Sequence, residues 1–158
     1  MPVPDASPLG GTPPTAAHFL LEVDGLSIGM FGRVGGLQLT VSVDEYAEGG
    51  VYGYVHRFPG RVQWPNLVFS RGLTESDNLL DWVNRTAGDG FEAAGGKLVP
   101  STASVTLLDV AGTRLRSYEI EGAFPVRWTG PTLDAGDSTA LTEELEVTHT
   151  GFRSRTAA

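Results

Sequence analysis

The sequence predicts a mainly β fold, a small β-sandwich or partly open barrel carrying one α-helix. Two runs, GLQLTVSVDEY and TALTEELEVTHTGF, alternate apolar and polar residues with the period of two that gives a strand one greasy face and one wet face. Further short β-rich runs are set off by glycine and proline turn signals. Only TESDNLLDWVNRT has the apolar spacing of a convincing helix.

Residues 1–17 are rich in Pro, Gly, Ala and Thr, which predicts a flexible N-terminal arm ahead of one β-domain over 18–158. HFLLEVDGLSIGMF reads as two strands turning at Asp24-Gly25, a strong hairpin signal. In the next strand Leu37, Leu39, Val41 and Val43 alternate with Gln38, Thr40, Ser42 and Asp44. Gly49-Gly50 breaks it, VYGYVHRF resumes it, and Pro59-Gly60 predicts a turn. WPNLVFS supplies a strand with Leu67 and Phe69 on one side.

Thr74 is the expected N-cap of the helix, with Asp77 completing an approximate capping box. Leu79, Leu80, Trp82 and Val83 form its apolar stripe and Gly88 its stop. GDGFEAAGGKLVPST reads as a loose loop. ASVTLLDVAGTRLRSYEIEG is a hairpin turning near Ala111-Gly112, and its second arm runs into AFPVRWTG. In the closing strand Leu145 and Val147 oppose Thr142, Glu144, Glu146 and Thr148.

Composition limits what this fold can do. A chain of 158 residues, 41% hydrophobic and 19% charged, fits a single soluble domain with its own core. A formal net charge of -8 with one lysine, Lys97, argues against a surface built to neutralise phosphates. The absence of cysteine excludes disulfides and thiolate metal sites and leaves the redox compartment open. No run of 18 apolar residues and no basic-then-apolar leader is present, so neither membrane insertion nor a signal peptide is expected.

Chemistry is hard to find. His18, His56 and His149 have no metal-ligand spacing, and no GxSxG, Walker or GxGxxG motif occurs. LDAGDST lacks the spacing of a calcium loop, so Asp134 and Asp137 read as turn residues. Glu119 and Glu121 share a strand face without a sign of a cleft between two carboxylates. Tyr52, Tyr54, His56 and Arg57 read as exposed loop or interface residues. No enzyme and no cofactor are expected. Three readings of the acidic wet faces stand: a plain solvated sheet face, a ligand-binding β-sandwich module that remains a monomer, or the inner wall of a water-filled tube, where polar-in and apolar-out alternation is required. Arg71-Gly72, ahead of the helix, could serve as an anion site or as a joint between subunits.

The order and spacing of several motifs resemble the tube proteins of contractile phage tails and of the related extracellular contractile injection systems. The resemblance spans residues 18–152: HFLLEVDGLSIGMFGRVGGLQLTVSVDEYAEGG, then FPGRVQWPNLVFSRGLTESDNLLDW, then VTLLDVAG, AFPVRWTGPTLDA and ALTEELEVTHTGF. Arg127 stands where the family pattern has lysine, a change that retains the charge.

The resemblance implies homohexameric rings, stacked into a tube inside a contractile sheath, with a continuous β-barrel lumen. At a strand spacing of about 4.8 Å and a tilt of about 40°, about 24 strands per ring give a circumference of roughly 150 Å and a bore of roughly 40 Å. Gln38, Thr40, Ser42, Asp44, Thr142, Glu144, Glu146 and Thr148 would line the lumen, and Leu37, Leu39, Val41, Val43, Leu145 and Val147 would form the core behind it. Tyr46, Arg57, Arg71, Gly72 and Trp128 would lie at subunit interfaces, with Arg71 available to a carboxylate on a neighbour, so that Arg71→Glu would weaken rings and leave the monomer folded. The implied partners are the sheath, baseplate or spike and tube terminator proteins, with cargo protein or DNA in the lumen. The implied site of assembly is the cytoplasm, as part of a phage tail or injection particle, with later release to the extracellular space left open.

Overall fold

The computed structural model describes residues 15–156. The expected arm therefore lies, but for its last three residues, outside the described residues. Ten strands and two helices follow in order: β1 His18–Val23, β2 Leu26–Phe31, β3 Arg33–Gly35, β4 Thr40–Tyr46, β5 His56–Gln63, β6 Leu67–Gly72, α1 Asn78–Thr86, α2 Asp89–Ala93, β7 Ser101–Leu108, β8 Arg114–Thr129, β9 Thr142–Thr148 and β10 Gly151–Thr156. The mainly β class with an open sheet is as the sequence predicts. Eight strands form one sheet in the order β2-β1-β7-β8-β9-β6-β3 with β10 also on β8, and β4-β5 pair as a separate ribbon.

Strand β8 belongs to both halves of this sheet. Its first part pairs with β7 on one side and β10 on the other, and its last part pairs with β9. Phe124 faces Thr148 and Glu121 faces Gly151, so β9 and β10 follow β8 in one unbroken register. The predicted single closing strand is thus interrupted only at His149-Thr150. Gly122 makes room for this break: it has φ 62°, and a Cβ there would lie 2.7 Å from Thr150 Oγ1. His149 is fixed at this corner, with Nε2 3.0 Å from the Pro65 carbonyl and Nδ1 accepting the Gly151 N–H at 3.1 Å. Its two nitrogens are therefore used structurally, with the proton on Nε2.

Folding the sheet brings β2 against β6, where the Phe31 and Phe69 rings meet edge to face at 5.4 Å. The core between the halves holds Leu21, Val23, Leu67, Phe69, Val105, Ile120, Leu145 and Val147, and α1 closes it with Leu79 and Trp82. The β1–β2 turn is as expected, with Asp24 at φ 51° and Gly25 at φ 80°. The β7–β8 turn closes through Asp109, whose Oδ1 accepts the N–H groups of Ala111 and Thr113.

Three local expectations are corrected. Helix α1 starts at Asn78 after the cap residue Asp77, not at Thr74, because Leu73 still donates its N–H to the Leu141 carbonyl and holds the chain beside β9. Pro59-Gly60 lies inside β5 rather than at a turn: the register against β4 slips there, and the proline's missing N–H and the small glycine suit a bulge. The loose loop after Gly88 contains the short helix α2. Leu39, Val41 and Val43, expected behind the wall of an assembled ring, are 51%, 41% and 56% exposed in the single chain. Leu37 does pack against the core, as do the expected Leu145 and Val147.

Candidate functional site

Two surfaces and one buried cluster carry the chemistry of this molecule. The first surface is the outward side of β6 and β9. Alternation on β9 buries Glu143, Leu145 and Val147 and leaves Thr142 exposed, with Glu144, Glu146 and Thr148 partly so. Glu146 accepts a hydrogen bond from Asn66 Nδ2 at 2.9 Å and pairs with Arg127. The Asn66 hydrogen bond, then Arg127, hold its carboxyl below the usual carboxylate range. Glu144 lies opposite Ser70 and receives its hydroxyl at 3.4 Å.

The second surface is the β4–β5 ribbon. Registers Arg33–Ser70 and Thr40–Gln63 belong to one alignment, so β3-β4 and β5-β6 form a single long hairpin whose outer half extends past the sheet. Val34 and Leu37 both pack on the core although three residues apart, which a regular strand forbids. Gly36, at φ 90° and with its carbonyl accepting the Gln38 N–H at 2.7 Å, supplies the switch of face. Its hydrogen is required, since a Cβ there would collide with the Asn66 carbonyl. Beyond the switch, Leu39, Val41 and Val43 continue the core side, and Gln38, Thr40, Ser42 and Asp44 continue the outward side. Val41 faces Val62 and Val43 faces Pro59 across the ribbon, and none of these is covered in the single chain. At the distal end Tyr46 is exposed opposite His56, Arg57 pairs with Glu45 at 3.2 Å in solvent, and His56 reaches Glu48 at 3.1 Å.

The buried cluster corrects the expected role of Arg71. Arg71 and Gly72 belong to β6 itself rather than to a turn. Arg71 Nε donates to Glu143 Oε1 at 2.6 Å, both side chains being nearly closed to water, and its guanidinium lies 4.8 Å over the Phe31 ring. Trp128 Nε1 donates to the other carboxylate oxygen at 3.1 Å. Arg71 is thus committed to its own chain, and Trp128 is likewise half-buried against the core. Gly72 remains exposed opposite Thr142. Glu143 was missed by sequence reasoning, although it has the parity of Leu145 and Val147, as Arg71 has that of Leu67 and Phe69.

Among the described residues no three His, Asp or Glu side chains are placed to hold a metal ion, and no helix is long and apolar enough to cross a membrane.

The sequence matches the family model described as T4-like virus tail tube protein gp19 over residues 15–153. No curated protein matches it by sequence. The fold is similar to a chain in the cryo-EM structure of an extracellular contractile injection system, the PVC sheath-tube complex in the extended state, with a TM-score of 0.74, 23% identity, and 92% of this chain and 93% of that chain covered. It is similar to a chain in the 6-fold symmetrised structure of the anti-feeding prophage baseplate, with a TM-score of 0.74, 24% identity and coverage of 92% and 97%. A crystal structure of Hcp protein aligns with a TM-score of 0.51 at 12% identity, covering 90% and 100%. At these identities the likeness establishes the shared fold.

Proposed function

The chain belongs to the T4-like tail tube protein family, a structural component and not an enzyme, and from that premise we propose that its copies close into hexameric rings that stack as the inner tube of a contractile injection particle. The observation that carries this reading is the uncovered apolar side of the β4–β5 ribbon, where Leu39, Val41, Val43 and Val62 are each roughly half exposed. A two-stranded ribbon is barely stable alone, and an exposed apolar strand surface invites pairing with another chain. A neighbouring copy that lays its sandwich under the ribbon covers this side and carries the sheet from subunit to subunit. Ring closure then removes the sheet edges.

On this reading Gln38, Thr40, Ser42, Asp44, Thr142, Glu144, Glu146 and Thr148 face a polar, acidic lumen. Such a wall repels phosphate, so protein or nucleic-acid cargo passes without sticking. Tyr46, Arg57, Gly72 and the half-buried Trp128 remain candidates for subunit contacts, whereas the buried Arg71 side chain acts inside the subunit. The partners are those named with its structural relatives: a sheath around the tube, a baseplate at one end and a terminating cap at the other. The setting is a phage tail or an extracellular injection particle, assembled in the cytoplasm.

Negative-stain electron microscopy of the purified chain across a concentration series tests the proposal. Six-fold rings or open-bored tubes are the expected result. Monomers at every concentration, including with a baseplate template added, would leave the ligand-binding module as the better reading.

A further inference from the structure

A cleft of about 330 Å³ opens between α1, α2 and the approach to β7, walled by Asp24, Trp82, Arg85, Lys97 and Val99 among others. Two features bear on what it holds. Arg85 and the chain's one lysine, Lys97, line it together, and neither forms an ion pair among the described residues, although the chain carries an excess of acid. One acid, Asp24, also stands in the wall, accepting the Thr102 N–H at 3.0 Å without pairing with either cation. Two cations without an ion pair beside apolar walls favour an occupant that brings both a carboxylate and an apolar side chain.

The chain itself displays a segment of that chemistry. The loop between β8 and β9 holds Leu133 78% exposed next to Asp134 and Asp137. Hydrogen bonds from the Thr139 hydroxyl and N–H hold the Asp137 carboxyl below its usual value. We infer that the α1–α2 cleft of one copy receives the Leu133–Asp137 segment of the β8–β9 loop of another, the leucine on the apolar walls and the aspartates toward Arg85 and Lys97. The contact is heterologous: two different patches join head to tail, the kind of joint that closes rings or stacks them without limit. It rests on the tube reading for its partner, but it is distinct from the ribbon contact.

The test separates the two. A capped peptide of residues 130–141 is titrated into dilute full-length protein by calorimetry, alongside sedimentation of charge-swapped variants. Saturable binding is expected, weakened at least tenfold in Arg85→Glu/Lys97→Glu and by raised salt. That variant should also assemble poorly while keeping the wild-type circular dichroism, and Asp134→Lys/Asp137→Lys in the same chain should restore assembly. No peptide binding, or variants that assemble like wild type, would overturn the inference and leave the tube reading standing. A chain that binds the peptide and never assembles would instead count against the tube.

Discussion

Arg71 and Glu143 stand directly opposite each other on β6 and β9, their Nε and Oε1 2.6 Å apart and both shut away from water. In the core, this pair has a different meaning from a surface bridge. Two desolvated charges tolerate each other, but neither tolerates losing its partner. Arg71→Ala and Glu143→Ala are each expected to lower stability by about 3–5 kcal/mol, read as a fall in the urea midpoint. Arg71→Met/Glu143→Leu should recover most of that loss. Arg71→Glu places two carboxylates at one buried site and should unfold the monomer before any ring is affected. Singles within about 0.5 kcal/mol of wild type would mean that the pair opens to solvent.

Gly29 makes room for this pair. It has φ 147°, and a Cβ there would strike Arg71 Nη1. Gly29→Ala therefore combines a backbone conformation costing about 1–3 kcal/mol with a clash. Only the clash depends on the guanidinium. A double-mutant cycle with Arg71→Ala should show coupling, with the alanine at 29 less costly once Arg71 is gone. Strict additivity would place the entire cost in the backbone.

Both buried charges were legible in the sequence as parity. Arg71 falls in step with Leu67 and Phe69, and Glu143 with Leu145 and Val147, so each sits on a core face where an unpaired charge is forbidden. Pairing them needed only the register of two neighbouring strands. The alternating runs likewise gave β4 and β9, and turn residues gave the β1–β2 and β7–β8 hairpins. What could not be read was long-range. Thr74 has good cap chemistry, but the hydrogen bond from Leu73 to Leu141 comes from a segment 68 residues away and delays the helix. Pro59-Gly60 looks like a turn until a partner strand runs past it. The ribbon's apolar side reads as core in the sequence because burial in an assembly and burial in a chain leave the same pattern.

Glu146 predicts a pH dependence with a definite sign. Its folded carboxyl titrates below the usual value because Asn66 and then Arg127 favour the charged form. The stabilisation is present above the unfolded value of about 4.3 and is lost as pH falls through the lower folded value. Urea midpoints of wild type and Glu146→Gln should therefore differ at neutral pH and converge in acid. A gap that widens on acidification would contradict the assignment.

The ribbon separates chain stability from assembly, because its apolar side is buried only if another copy covers it. Val41→Lys and Val43→Lys place a charge on residues that are 41% and 56% exposed in the single chain. Surface changes of this kind move monomer stability by about 0.5 kcal/mol or less. The same charge set against a neighbour's apolar surface loses its water without a partner, which is prohibitive when repeated around a ring. Thermal melts of the variants should match wild type while sedimentation and electron microscopy show dispersed monomers. Intact tubes from Val43→Lys would put the subunit contact elsewhere, since no closed barrel can absorb six unpaired lysines on the core side of its wall.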